Sequence, residues 1–133
     1  MILLDTHAWV WWVHGDSRLS EQHRNMLDAR TDDGIGVSII SCWEVAKLVE
    51  HGRLELPQDV LGWIGVALGY PGVRCLELSP AIVVESTCLP QPFHRDPADQ
   101  MIVATARIHD CPLVTADDKI LKYPHVRSID IRG

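Results

Sequence analysis

Four acids in this chain, Asp5, Glu44, Asp99 and Asp117, stand where a catalytic cluster could form. They are far apart in sequence, so only a fold could gather them. Carboxylates brought to one rim repel one another and raise each other's pKa unless a cation sits among them. Mg2+ takes near-octahedral oxygen donors at about 2.0–2.1 Å and keeps several waters. A carboxylate set with no His or Cys at ligand spacing suits Mg2+ or Mn2+ rather than zinc. The reaction that uses such a site is phosphodiester hydrolysis. The ion polarises the phosphate, lowers the pKa of a bound water and stabilises the leaving oxygen.

Each acid also has an ordinary structural role. Ser41-Cys-Trp-Glu44 reads as a capping box, the glutamate reaching back to the N-cap amide. Asp96-Pro-Ala-Asp99 places a capping aspartate before a second acid favoured by the helix dipole. Asp117 could cap a turn over 117–121, and Asp5 could hydrogen-bond a loop. Taken singly, these roles suffice. Caps, however, have no need to converge, whereas metal ligands do.

Short β-type runs alternate with helical ones along the chain. Strands are expected over 2–5, 35–39, 73–78, 112–115 and 126–131. Helices are expected over 7–14, 20–30 with Ser20 as N-cap, 41–51 closed by Gly52, and 57–68 ended by Gly69. Ser79-Pro80 and Asp96-Pro97 open two more, reaching about 88 and 109. This alternation predicts an α/β protein with a short, mainly parallel central sheet and helices on both faces. Ligands in such sheets bind beyond the carboxyl ends of the strands. Asp5 ends the first strand, Glu44 follows the second and Asp117 follows the fourth. The rule gathers those three; Asp99 lies in the helix before the fourth strand and is not placed by it.

A length of 133 residues suits one domain, 1–133, with one core. Hydrophobic residues make up 47% and charged ones 23%, the profile of a globular chain. No apolar run approaches the roughly 20 residues of a membrane helix. The opening Met-Ile-Leu-Leu-Asp5 lacks the basic flank of a signal peptide, so a cytoplasmic, non-membrane protein is expected. Cys42, Cys75, Cys88 and Cys111 form no C-x-x-C pair and are expected as reduced, mostly buried thiols. The net charge of −6 weighs against non-specific coating of nucleic acid, but not against an enzyme with a locally basic rim.

With these residues assembled, the chain resembles the PIN-domain family, specifically VapC-like toxins of bacterial toxin–antitoxin pairs. The resemblance is carried by Leu4-Asp5-Thr6-His7-Ala8 with Trp11-Trp12, then by Val37-Ser38, Ser41, Trp43-Glu44 and Gly52-Arg-Leu-Glu-Leu-Pro57. It continues in His94-Arg-Asp-Pro-Ala-Asp99 with Met101-Ile-Val-Ala-Thr-Ala106, and in Leu113-Val-Thr-Ala-Asp117. It implies a three-layer α/β/α fold, with Asp5, Glu44, Asp99 and Asp117 around Mg2+ or Mn2+. It also implies an RNA substrate, often tRNA or rRNA, a homodimer, and a small VapB-like antitoxin whose tail enters the groove. Where similar chains often carry arginine after the third acid, this one has Gln100, leaving the position uncharged. Asp96 is a fifth acid, ranked below Asp99 because Asp99 immediately precedes the Met101–Ala106 stretch.

Thr6 and Ser38 are candidates to hydrogen-bond a carboxylate or phosphate. His94 and Arg95, with Lys47 a weaker candidate, could form a cationic patch for phosphate. Trp9, Trp12 and Val13 fall on one helical stripe, expected in the core or a dimer interface. Trp43 is expected to pack beside Glu44. Two competing functions have other requirements. A phosphatase or phosphotransferase of the haloacid-dehalogenase type needs a second acid two residues after Asp5, where His7 stands. A PIN fold reduced to a binding module would have no use for an intact quartet.

Overall fold

The computed structural model describes residues 1–132; Gly133, the last residue of the expected domain, lies outside them. Among the described residues are five strands: β1 (Ile2–Leu4), β2 (Ile35–Ser38), β3 (Val73–Leu76), β4 (Leu113–Thr115) and β5 (Ser128–Asp130). The helices are α1 (Thr6–His14), α2 (Glu21–Asp28), α3 (Ile39–Glu50), α4 (Val60–Leu68), α5 (Pro80–Thr87), α6 (Pro97–His109) and α7 (Asp118–Leu121). All strand pairs are parallel, in the order β3-β2-β1-β4-β5. The expected three-layer α/β/α architecture is present.

The central strands are apolar on both faces because helices cover both. In β1, Ile2 and Leu4 face one core with Trp9, Val37, Val45 and Val114, while Leu3 faces the other with Ile102, Val103, Leu113 and Ile120. This is the two-residue period of a strand. Helices α1, α2 and α4 supply the first core, and α5, α6 and α7 the second. Helix α3 serves both, through Cys42 and Val45 on one side and Ile40 on the other. Gly72 has φ +81°, and a Cβ there would collide with the Thr31 carbonyl, so the turn into β3 requires glycine.

Several boundaries differ from expectation. Helix α3 starts at Ile39 because Ser38, not Ser41, is its N-cap, the Ser38 Oγ accepting from the Ile40 amide at 3.2 Å. The capping-box reading of Ser41 and Glu44 is therefore wrong. Helix α4 starts at Val60, capped by Asp59 on the Gly62 amide at 2.9 Å, and residues 57–59 precede it. Residues 118–121 form a short helix rather than a turn. Trp43 is 52% exposed and does not pack as expected. All four cysteines are free thiols, but Cys75 and Cys88 are exposed, so only Cys42 and Cys111 are buried. Of the aromatic stripe, Trp9 is fully buried against Trp63, with Trp12 and Val13 packed on the rim of that core.

Leu3 has no exposed surface, whereas Leu61 on α4 is 80% exposed. Leu3→Ala should therefore cost roughly 2–5 kcal/mol, and Leu61→Ala less than about 0.5 kcal/mol. Urea unfolding of the two variants beside the parent measures both; equal losses would contradict the layer assignment.

Candidate active site

The chain runs β1, β2, β3 outward in one direction, then returns to lay β4 on the other side of β1. The carboxyl ends of β1 and β4 thus flank the point where strand order reverses, the place where open parallel sheets bind ligands. Asp5 follows β1 and Asp117 lies two residues past β4. Around them opens a cavity of about 430 Å3 lined by Asp5, Glu44, Asp96, Asp99 and Asp117, with Thr6, His7, Trp11 and Ala116.

Asp5 is held from two sides. Its Oδ1 caps α1 by accepting from the Thr6 amide at 2.7 Å, and its Oδ2 accepts from the Thr115 hydroxyl at 2.7 Å. Thr115 Oγ1 in turn accepts from the Asp117 amide at 3.0 Å, so one buried hydroxyl sets the spacing of two acids. Asp117 caps α7 through its Oδ1 on the Lys119 amide at 2.7 Å. Thr6 does for Glu44 what Thr115 does for Asp5. Its hydroxyl donates to Glu44 Oε1 at 2.5 Å and pairs with the buried Ser41 Oγ at 2.9 Å.

Asp96 caps α6, its Oδ1 accepting from the Asp99 amide at 3.0 Å. That starting geometry, with α6 packed beside α3, turns Asp99 inward toward Glu44. Ligand oxygens of Asp5, Glu44 and Asp99 all come within 4.8 Å of one another. Asp99, the acid that strand-end logic does not place, is thus in the centre. Asp117 and Asp96 line the same cavity outside this triad, Asp96 being solvent-exposed.

The electrostatics follow from burial and like charge. Burial, reinforced by Asp5, Asp96, Glu44 and Asp117, pushes the Asp99 carboxyl up to about 8. Burial also pushes Glu44 up to about 7; the Thr6 hydrogen bond opposes this, while Asp5 and Asp96 add to it. Asp5 is raised by burial too, against the pull of its bonds to Thr115 and Thr6. A three-carboxylate donor set that is poorly neutralised by the protein fits a hard divalent cation.

The remaining candidates take varied positions. Thr6 contacts a carboxylate. Ser38 is buried and spends its hydroxyl on capping α3. His94 is not a free cation facing solvent: its Nε2 is buried 3.0 Å from Asp99 Oδ2, close but not aligned as a hydrogen bond. Arg95 is exposed and has no ion-pair partner among the described residues. Lys47 is engaged by Glu50 at 3.0 Å. Gln100, in place of a charge, donates to the His94 carbonyl at 3.1 Å and steadies that loop. Residue pattern alone does not mark Thr115 and Ser41 as positioning groups. Thr115 sits two residues before Asp117, and Ser41 three before Glu44, inside the stretches that carry the acids.

The pattern of the PIN domain family matches residues 2–126. The chain is 33% identical over 130 residues to Ribonuclease VapC22 from Mycobacterium tuberculosis, covering 98% of this chain and 97% of that protein. Among solved structures it is similar to VapBC2 from Rickettsia felis bound to a promoter DNA fragment. The TM-score there is 0.71 at 17% identity, with 98% of each chain covered. A toxin–antitoxin complex from Klebsiella pneumoniae gives a TM-score of 0.69 at 19% identity, covering 100% of this chain and 99% of that one. The structural likenesses show the fold. Joined to a sequence match along nearly the whole length, they lead to one conclusion: this chain belongs to the PIN-domain family.

Proposed function

We propose that this protein is a metal-dependent endoribonuclease, the toxin of a VapBC-type pair, built as a single domain. One observation carries the reading: the convergence of buried Asp5 with half-buried Glu44 and Asp99 at the strand-order reversal. The relative named as a ribonuclease supports RNA as the substrate; tRNA or rRNA is the class that the family resemblance implies. The complexes among the structural neighbours support a small VapB-like antitoxin as partner. A second copy of the chain is proposed as a further partner, as the family resemblance implies. No helix of the described residues is long and apolar enough to cross a membrane; the location proposed here is the cytoplasm.

Asp5, Glu44 and Asp99 would hold Mg2+ or Mn2+, which supplies a polarised phosphate and a water of lowered pKa. The chain's own contribution is placement. Thr115 and the Thr6 amide fix both oxygens of Asp5. Thr6 aims Glu44, and Asp117, lining the same cavity, is proposed as the fourth acid of the site. Burial and like charge hold Glu44 and Asp99 at about 7 and about 8, so near neutral pH a cation would compete with protons for both. The phosphatase reading lacks its second acid, since His7 occupies that position.

The purified protein should cleave RNA with Mn2+ or Mg2+ and stop in EDTA. Thr115→Val should lower the rate roughly 10–100-fold, the range for groups that orient metal ligands. Asp5→Asn should lower it further, and an Asp5→Asn enzyme of parental activity would sink the mechanism. A thermal measurement gives a second test. Glu44 and Asp99 have folded pKa values above their ordinary 4.5 and 3.8, so between about pH 4 and 8 these two carboxyls bind more protons in the folded chain than in the unfolded one. Stability should therefore fall as pH rises through that window. In EDTA the Tm should drop toward pH 8, Mn2+ should restore it most at the alkaline end, and Asp99→Asn should flatten the profile. A parental profile in that variant would contradict the assignment.

A further inference from the structure

Next to the acidic cavity lies another, of about 510 Å3, with different walls. Its floor is aromatic. Phe93 and Tyr123 have ring centroids 4.6 Å apart, His94 lies 4.6 Å from Phe93, and His125 lies 5.3 Å from Tyr123. Tyr123 is buried and donates its hydroxyl to the Pro90 carbonyl at 2.6 Å, so it backs Phe93, whose half-buried ring remains partly open. Lys119 and Lys122 stand exposed on the rim. Neither has an ion-pair partner among the described residues, a state they share with Arg24, Arg30, Arg53, Arg74 and Arg95, but these two are the ones that rim an aromatic floor. In a chain of net charge −6, two uncommitted lysines flanking an apolar floor single this surface out.

The two cavities adjoin, with residues of one in contact with residues of the other. His94 lines the aromatic one and sets its Nε2 3.0 Å from Asp99 of the acidic one. Lys119 lines the aromatic one, and its amide is the donor to Asp117 of the acidic one. A strand lying across Asp99 and Asp117 therefore meets Phe93 and the lysines next.

We propose that this cavity is a nucleotide subsite of the RNA-cleaving site. A base flanking the scissile phosphate lies against Phe93, and the Lys119 and Lys122 ammonium groups hold neighbouring backbone phosphates. The inference rests on the ribonuclease reading above and adds where the single strand runs. Aromatic faces take any base by stacking, and paired cations track the backbone. The uncommitted cations favour this polyanion over a peptide as occupant.

The test is an anisotropy titration of the full chain with a labelled single-stranded RNA of about ten nucleotides, in EDTA so that cleavage is suppressed. The Lys119→Ala/Lys122→Ala protein should bind roughly fivefold or more weakly. Its plot of log affinity against log salt should be shallower by about 1.4, two contacts at about 0.7 each. Phe93→Leu, which keeps an apolar side chain in place, should weaken binding by roughly fivefold or more without changing the salt slope. Should Phe93→Leu fail to fold, the lysine pair decides. Parental affinity and slope in the double-lysine variant, with parental RNA cleavage intact, overturn the subsite and leave the ribonuclease reading standing. A parent that neither binds nor cleaves RNA overturns both.

Discussion

Five carboxylates open into one cavity at the end of the sheet, and their mutual repulsion is the constraint around which the rest is arranged. Three of them are N-caps: Asp5 for α1, Asp96 for α6 and Asp117 for α7. Each gives one oxygen to a helix amide, and the positive ends of α1 and α6 face the rim as well. This compensation is partial. Glu44 and Asp99 still sit at about 7 and about 8, far above ordinary carboxylates. A fold that spends so many contacts on holding acids together, and leaves two of them poorly stabilised as anions, is organised for a divalent cation.

Placement follows from the order of the strands. Because β1 is central and β4 returns beside it, the residues just past these two strands meet without any long loop. Two threonine hydroxyls then convert nearness into register. Thr115 ties Asp5 to the Asp117 backbone across β1 and β4, and Thr6 ties the start of α1 to Glu44 on α3. Asp99 comes from the opposite layer, carried by α6, whose buried face of Ile102, Val103 and Ala106 packs in the core beneath Leu3. Both cores thus end at one site, so packing on either face affects its geometry.

Much of this was legible in the residues. Apolar runs that stop at an acid marked β1 and β4, and Ser79-Pro80 and Asp96-Pro97 marked α5 and α6 through their caps. Other features depended on information local patterns do not hold. Ile39 and Ile40 suit a strand end or a helix start equally, which let Ser41 pass for a cap that Ser38 supplies. Trp43 reads as core by type, but in the helix that runs from Ile39 it falls off the face that buries Ser41, Cys42 and Val45. No spacing rule brings Asp99 to Asp5; that needs the packing of α3 against α6. His94 reads as a loop cation until the turn into α6, tied back by Gln100 on the His94 carbonyl, sets it beside Asp99.

We propose that Asp5, Glu44 and Asp99 form one cation site, which holds protons when empty. Titration calorimetry with Mn2+ at pH 7, in two buffers of different ionisation enthalpy, measures stoichiometry and proton release together. With Asp99 at about 8 and Glu44 at about 7, one ion should bind per chain and displace more than one proton. Absence of binding, or binding with no proton released, would contradict it.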